Sequence, residues 1–274
     1  MIGNWLGLEG RVVIVTGGAL GIGRACCESL GANGAKLVIA DVDRVVGEET
    51  AAALKKATGT ETIFIRADVS DRNQCEAMAD EAVARFGRVD VLVNNAGINV
   101  PRLLVDPAGK EELTEEIWDK LTDINQKGVF LCAQAVTRRM LAAGRGGVLI
   151  NMASESGMEG SEGQSAYAAG KAALYGLTRS WAKELGRYGI RVVGVAPGIL
   201  EATGLRSERY ENSLAYARGI QVEALRAGYE KVSIPLGRVG RLSEVADLVT
   251  YLASDRASYI HGTVVNISGG KSRA

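Results

Sequence analysis

The chain has 274 residues, 47% of them hydrophobic, and its 32 basic side chains balance 32 acidic ones. Proteins that bind nucleic acid or a membrane surface through charge need a dense basic face, so the composition argues against both kinds of partner. The four cysteines are too few for a disulfide framework and favour free thiols in a reducing, cytoplasmic compartment.

Short β-rich apolar segments recur along the chain, and each gap between them is long enough for a helix. The predicted strands cover residues 12–15, 36–40, 62–65, 89–93, 148–151, 190–195 and 263–267. Helices are predicted where apolar residues recur three or four apart, at 24–33, 44–56, 72–86, 115–141, 166–188 and 243–252. This alternation predicts an α/β fold, a Rossmann-type doubly wound parallel sheet of about seven strands with helices on both faces.

The pattern indicates one domain over residues 1–274, because no charged or proline-rich linker divides the chain. A polar stretch at about 203–234 is expected to form a helical excursion over the site. Neither an export signal nor a run of about 18 apolar residues is apparent, so export and membrane spanning are not expected.

The first strand runs directly into a glycine-rich turn at residues 16–23, with glycines at 17, 21 and 23. Such glycines let the backbone turn tightly and approach a pyrophosphate, which the amide groups and dipole of the following helix stabilise. Glycine clusters also form ordinary turns, so this motif alone leaves both interpretations open.

Asp41 ends the second strand, 18 residues after Gly23. This is near the spacing of about 20 at which an acid accepts hydrogen bonds from adenosine ribose. Asp41 would repel a 2′-phosphate, and Val42 supplies no arginine to offset the repulsion, so NAD is expected rather than NADP. The structural alternative is a solvated carboxylate or a helix cap.

Tyr167 and Lys171 lie four residues apart, on one face of a predicted helix. A lysine ammonium about 4 Å from a phenol supplies enough electrostatic interaction to lower the phenol pKa by two or three units. Such a pair makes a proton donor and acceptor, and the hydroxyl of Ser154 can bind the same reacting oxygen. Tyrosine and lysine also pair by chance on many helix surfaces, and Ser154 has the alternative of an ordinary turn residue.

These motifs, taken in order, resemble the short-chain dehydrogenase/reductase family over nearly the whole chain. The resemblance rests on Thr-Gly-x-x-x-Gly-x-Gly at 16–23, Asn94-Asn95-Ala96-Gly97, Asn125, Ser154, the Tyr167 and Lys171 pair, and Pro197-Gly198. It implies that Tyr167 transfers a proton, that Lys171 lowers its pKa and binds the nicotinamide ribose, and that Ser154 orients the substrate oxygen. It also implies that Asn125 holds a water molecule that links Lys171 to solvent.

The same resemblance implies a cofactor groove for NAD. The implied cofactor-binding residues are Gly17, Leu20, Gly21, Ile22, Gly23, Asp41, Asp68, Val69, Asn95, Ala96, Gly97, Tyr167, Lys171, Pro197, Gly198 and Leu200. No metal is expected, because the single histidine, His261, and the cysteines show no ligand spacing. The resemblance also suggests a homotetramer built through the long helices at 115–141 and 166–188 and the last strand.

Segments 99–106, 154–165, 195–206 and 269–271 resemble a bacterial subgroup that oxidises sorbitol 6-phosphate to fructose 6-phosphate with NAD. Arg102 and Arg206 are predicted to bind the phosphate, with Arg209, Arg238 and Lys271 as further cations near site loops. Glu155 is predicted to accept hydrogen bonds from substrate hydroxyls. The alternatives are another polyol or sugar dehydrogenase, a 3-oxoacyl thioester reductase and, outside the enzymes, a nucleotide-sensing protein.

Overall fold

Seven parallel strands form the centre of the molecule in this computed structural model, which describes residues 5–203, 206–230 and 234–272. The strands are β1 (Val12–Thr16), β2 (Lys36–Asp41), β3 (Thr62–Arg66), β4 (Val91–Asn94), β5 (Gly147–Met152), β6 (Ile190–Pro197) and β7 (Val264–Ile267). Their order in the sheet is β3-β2-β1-β4-β5-β6-β7. All seven predicted strands are confirmed, with ends that differ by one or two residues.

The central strands are apolar on both faces because helices cover both sides of the sheet. Every residue of β1 is buried, and successive side chains of the strand enter different cores. Val13 and Val15 pack in one core with the helices Gly21–Ala32 and Leu242–Ala253. Val12 and Ile14 pack in the other core with the helices Arg72–Phe86 and Gly128–Ala143. The predicted doubly wound fold is therefore confirmed.

The helices are α1 (Gly21–Ala32), α2 (Arg44–Thr58), α3 (Arg72–Phe86), α4 (Glu115–Thr122), α5 (Gly128–Ala143), α6 (Ser156–Glu159), α7 (Ser165–Leu185), α8 (Glu208–Ala217), α9 (Val222–Glu230) and α10 (Leu242–Ala253). The helix predicted at 115–141 is divided, because a π-helical segment, Asp123–Lys127, separates α4 from α5. The described residues include no helix that is both long enough and apolar enough to span a membrane.

The chain reverses its direction of travel across the sheet between β3 and β4. After β3 it crosses back so that β4 pairs with β1 on the side opposite β2. The loops after β1 and β4 therefore diverge to opposite faces, and the crevice between them is the usual ligand site of such sheets. Helices α8 and α9 occupy part of the predicted excursion at 203–234, of which residues 204–205 and 231–233 lie outside the described residues.

Candidate active site

A cavity of about 920 Å³ opens at the carboxyl ends of the strands, where the order of the sheet reverses. Most of the predicted site residues line it. Those that do are Gly17, Leu20, Gly21, Ile22, Asp41, Asp68, Val69, Asn95, Ala96, Gly97, Ser154, Glu155, Tyr167, Lys171, Pro197, Gly198, Leu200 and Arg206. Gly23, Asn125 and Arg102 are not in the lining, and each has a different reason.

The turn after β1 requires glycine for two reasons. Gly17 has a φ of 63°, in the left-handed region that glycine tolerates best. Gly23 lies behind the turn, where a Cβ would stand 2.1 Å from the Gly17 carbonyl oxygen. Helix α1 starts at Gly21 with no side-chain cap on its amide groups and no acid in its first turn. Its amide groups and positive dipole end are thus free to bind an anion.

The end of β4 is tied to the glycine turn by Asn95. The Asn95 side-chain amide donates to the Thr16 carbonyl at 3.0 Å and to the Gly17 carbonyl at 3.1 Å. In return the Thr16 hydroxyl oxygen accepts from the Asn95 and Ala96 amides at 3.0 and 3.1 Å. These bonds hold two walls of the cavity at a constant separation.

Asp41 stands at the cavity edge with its carboxylate accepting from the Ala19 amide at 3.2 Å. It does not cap α2, because that role belongs to Asp43, whose carboxylate accepts from the Val46 amide. The structural alternative of a helix cap is therefore wrong for Asp41. Asp68 does not cap the following helix either, since Asp71 caps α3.

Tyr167 and Lys171 lie on successive turns of α7, and both line the cavity. The Lys171 ammonium is 5.7 Å from the centre of the Tyr167 ring, and it donates a 2.7 Å hydrogen bond to the Met152 carbonyl. Ser154, which follows β5, lies close enough to the Tyr167 hydroxyl to influence its pKa. The Ser154 hydroxyl oxygen also lies 2.9 Å from that of Ser156, the first residue of α6. The structure thus brings the three predicted catalytic side chains together.

Burial shifts the pKa values of both Tyr167 and Lys171, and the pKa of Tyr167 moves against the prediction. Burial raises the pKa of Tyr167 to about 12, although the neighbouring Ser154 acts in the opposite sense. Burial lowers the pKa of Lys171 to about 8. The predicted lowering of the Tyr167 pKa does not hold for the chain alone, because desolvation raises it and Lys171 donates to the Met152 carbonyl rather than to the phenol.

Asn125 is fully buried in the π-helical segment, behind the cavity wall. Its side chain forms two 2.8 Å hydrogen bonds with the backbone of Ile98, accepting from the amide and donating to the carbonyl. A Cβ on Gly97 would come within 3.0 Å of the Asn125 oxygen and 3.6 Å of the Lys171 nitrogen. Asn125 therefore fixes the loop beside Lys171, and its water-holding role stays a prediction.

Glu155 and Lys271 form a partly buried ion pair in the cavity wall. The Lys271 ammonium donates to one Glu155 oxygen at 2.6 Å, and the other Glu155 oxygen is shielded from solvent with no hydrogen-bond partner. Burial raises the pKa of Glu155, and Lys271 opposes that shift. Lys271 is thus committed to a carboxylate, and the second Glu155 oxygen has no hydrogen-bond donor in the described part of the chain.

The structure corrects the prediction for Arg102, which does not reach the cavity. Its guanidinium forms an ion pair with Glu111 and donates to the Pro101 carbonyl at 2.6 Å. Arg209 is exposed on α8, and Arg238 pairs with Glu244 at 2.6 Å. None of these three arginines lines the cavity, whereas Arg206 does.

Several cavity residues were missed by the sequence prediction. They include Gln164, Tyr210, Arg218 and Tyr229, which come from the turn before α7 and from the α8 and α9 region. Their types are common in solvated helices, and the sequence has no motif that marks them. The one available signal is the concentration of tyrosine and arginine in the predicted excursion.

The residues around the cavity fit a dinucleotide. The glycine turn leaves no room for a Cβ at Gly17 or Gly23, the amide groups at the start of α1 lack a side-chain cap, and Asp41 stands where a ribose would lie. Backbone amides, a helix N-terminus and a terminal acid are the groups that bind pyrophosphate and ribose in this class of sheet. This geometry fits a dinucleotide, and Tyr167 and Lys171 line the same cavity.

Comparison with known proteins agrees with the geometry. Residues 11–214 match the model of the short chain dehydrogenase family. The chain is 54% identical to sorbitol-6-phosphate 2-dehydrogenase of Klebsiella pneumoniae over 273 residues, covering 98% of this chain and 99% of that protein. It is 38% identical to a 3-oxoacyl-(acyl-carrier-protein) reductase of Thermotoga maritima, over 96% of this chain and 98% of the other. A short-chain type dehydrogenase/reductase structure from Mycobacterium marinum superposes with a TM-score of 0.86 at 32% identity, covering 97% of each chain.

Proposed function

The chain belongs to the short chain dehydrogenase family, and from that membership we propose that it oxidises sorbitol 6-phosphate to fructose 6-phosphate with NAD. The observation that carries the substrate is the 54% identity, over 98% of the chain, to a sorbitol-6-phosphate 2-dehydrogenase. The cavity supports it, because it combines a proton-transfer pair, a hydroxyl acceptor and basic side chains.

Tyr167 is the residue proposed to exchange the proton of the substrate hydroxyl, since its phenol lines the cavity beside Ser154. Ser154 would hold the substrate oxygen, and Lys171 would stabilise the phenolate from the same face of α7. When bound, NAD supplies a carbon that accepts the hydride from the alcohol carbon. The phenol, whose pKa burial raises to about 12, is protonated at neutral pH, which is the form that donates a proton when a ketone is reduced.

Asp41 supports NAD as the cofactor, because its carboxylate at the cavity edge would repel a 2′-phosphate and Val42 beside it is exposed and uncharged. We expect Asp41→Ala to narrow the ratio of kcat/KM for NAD over NADP by about tenfold. Glu48→Ala is the matched control, since Glu48 is an exposed acid of α2 outside the cavity. An unchanged ratio in Asp41→Ala would contradict the proposed role of Asp41 in the preference for NAD.

The substrate is tested with purified enzyme and NAD against sorbitol 6-phosphate, mannitol 6-phosphate, galactitol phosphates and the free polyols. The expected result is the highest kcat/KM for sorbitol 6-phosphate. Equal or faster oxidation of a free alcohol would contradict the phosphate assignment. A 3-oxoacyl thioester reduced with NADPH belongs in the same panel, because the Thermotoga relative carries that activity in its name. NADH binding without turnover of any substrate would favour the nucleotide-sensing protein.

We also propose a cytoplasmic homotetramer. The free thiols of all four cysteines, each buried, support a reducing compartment. Large apolar side chains are exposed on α4 and α5, where Trp118 is 44% and Phe130 37% accessible. Such surfaces are suited to association with further copies of the chain.

A further inference from the structure

Two arginines and two tyrosines, Arg206, Tyr210, Arg218 and Tyr229, line one part of the cavity. We call these four residues the arginine–tyrosine cluster. They come from α8, α9 and the segments that flank α8. The Arg206 guanidinium stacks 3.9 Å from the centre of the Tyr229 ring and donates to the Leu200 carbonyl at 2.8 Å. The guanidinium is therefore held in one orientation.

Two hydrogen-bond donors of the cluster have no partner in the protein. The Arg218 Nε and the Tyr229 hydroxyl are both shielded from solvent and form no hydrogen bond. Arg218 is anchored elsewhere, through a 3.3 Å hydrogen bond from its Nη2 to the Ser161 hydroxyl. A buried donor without a partner costs about 1–3 kcal/mol, so two in one place indicate a ligand that accepts from them.

The cluster also has positive charge that the protein does not neutralise. Within the described part of the chain, neither Arg206 nor Arg218 forms an ion pair. Burial raises the pKa of Tyr229, Glu211 raises it further, and Arg206 and Arg218 lower it, which places all three charges around this phenol. Glu211, however, is already held by Arg226 through hydrogen bonds of 2.9 and 2.7 Å.

The cluster adjoins the proton-transfer residues. The Gln164 side chain, just before α7, donates to the Tyr210 hydroxyl at 2.7 Å. Tyr210 is also close enough to Tyr167 to add to the rise in its pKa, which is mainly due to burial. A substrate that contacts Tyr167 can therefore extend into the cluster within the same cavity.

We infer that the arginine–tyrosine cluster binds the phosphate monoester of the substrate, with Arg218 and Tyr229 as donors that are specific to it. This inference rests on the proposed function and extends it to the phosphate-binding residues. A phosphate monoester offers three acceptor oxygens and close to two negative charges, which suit two guanidinium groups and a phenol. The other basic candidates are already engaged, because Arg102 pairs with Glu111 and Lys271 with Glu155.

The test compares kcat/KM for sorbitol 6-phosphate and for free sorbitol in two variants. Arg218→Gln is expected to lower kcat/KM for the phosphate about 100-fold, because it removes a charge-assisted contact. Tyr229→Phe, which keeps the ring under Arg206, is expected to lower it about tenfold. Oxidation of free sorbitol is expected to change less than about threefold in both, since sorbitol has no phosphate to lose.

Arg209→Gln is the matched control, since it removes the same charge from an exposed position of α8 outside the cavity. The Arg209→Gln variant is expected to prefer the phosphorylated substrate as strongly as the wild type does. NADH affinity and the melting temperature verify that each variant is folded. If Arg218→Gln proves unstable, Tyr229→Phe still tests the inference, because it deletes only one hydroxyl.

Failure of the proposed function and failure of the cluster as the phosphate site give different results. If the wild type oxidises free sorbitol as efficiently as its phosphate, the proposed function fails and the inference falls with it. If the wild type prefers the phosphate but Arg218→Gln and Tyr229→Phe keep that preference, the proposed function stands and the cluster is not the phosphate site. An equal loss for both substrates would likewise overturn the cluster as a phosphate site.

Discussion

At the scale of single residues, burial acts on Tyr167 and Lys171 in opposite directions. Removal from water penalises the charged form of each group, which raises the pKa of the phenol to about 12 and lowers that of the ammonium to about 8. At neutral pH the phenol is therefore neutral and the lysine charged. In the chain alone, the positive charge of this pair therefore lies on Lys171 at neutral pH.

Tyr167→Phe removes the proposed proton carrier and little else. We expect it to reduce kcat by at least about a thousandfold, within the usual range of general acid–base catalysis, while the NADH dissociation constant stays within about twofold of wild type. Steady-state kinetics and fluorescence titration measure the two quantities. Turnover close to wild type would exclude Tyr167 from the chemistry.

The lowered pKa of Lys171 predicts a pH dependence for NADH binding. Because the folded pKa is about 8, the ammonium is charged below that pH and loses its proton above it. A charged Lys171 favours the anionic dinucleotide, so NADH affinity should fall as pH rises through 8, by at most about tenfold per pH unit for one linked proton. Fluorescence titration across this range measures the slope.

The controls for this slope are two substitutions in α7. Lys171→Met should remove the slope, whereas Tyr167→Phe should keep it, because burial holds the Tyr167 pKa at about 12, outside the range tested. The same slope in Lys171→Met would assign the titration to another group.

At the scale of elements, the start of α1 depends on two glycines in contact. A Cβ at Gly23 would stand 2.1 Å from the Gly17 oxygen and 2.6 Å from the Asn95 side-chain amide. The glycine therefore lets α1 begin directly behind the turn, with its amide groups facing the cavity. The division of the predicted 115–141 helix belongs to the same scale, since the π-helical segment puts Asn125 against the Ile98 backbone.

Gly23→Ala should displace the turn and disturb the cofactor groove. We expect it to lower the free energy of unfolding by about 1–3 kcal/mol, as overpacking does, and to weaken NADH binding more than about tenfold. Chemical denaturation and fluorescence titration check the two effects.

Gly31→Ala in the same helix is the matched control, because its Cβ would meet movable side-chain carbons of Leu37 and Thr58 at 3.1 and 3.2 Å. It should leave NADH affinity unchanged. Equal effects of the two substitutions would show that the turn is not specific to the cofactor groove.

At the scale of the whole molecule, the sheet order places the loops after β1, β4, β5 and β6 around one cavity. Residues from 17 to 271 line it, so the site is a product of the complete fold. Trp118 on α4 and Phe130 on α5 stay exposed outside the cavity.

The proposed homotetramer predicts a light-scattering mass of about four times 28.9 kDa. Phe130→Glu, on α5, should reduce that mass, because it places a charge on an apolar surface that other copies would bury. Val45→Glu is the control, since Val45 is 65% exposed on α2, away from the proposed contacts. A wild-type mass near 28.9 kDa would contradict the assembly.

The sequence by itself determined the seven strands and the fold class, because apolar periodicity is a local property of the chain, and its ordered motifs already resembled the family. The sequence also placed Ser154 just after a strand and put Tyr167 and Lys171 one turn apart on a helix, and both are local features of the chain. Only the tertiary structure decided which arginines reach the cavity. Arg102 turns to Glu111, whereas Arg218 is anchored at Ser161, 57 residues away in the chain.

The direction of the Tyr167 pKa shift was also decided by tertiary structure. From spacing alone the charge of Lys171 was predicted to lower the pKa of Tyr167, but burial raises that pKa and lowers the pKa of Lys171. Charge partners and burial depend on elements that meet only after folding, and the order of residues in a chain carries no direct record of them. Motifs are therefore visible in the sequence, while the electrostatic environment that sets their chemistry arises from packing.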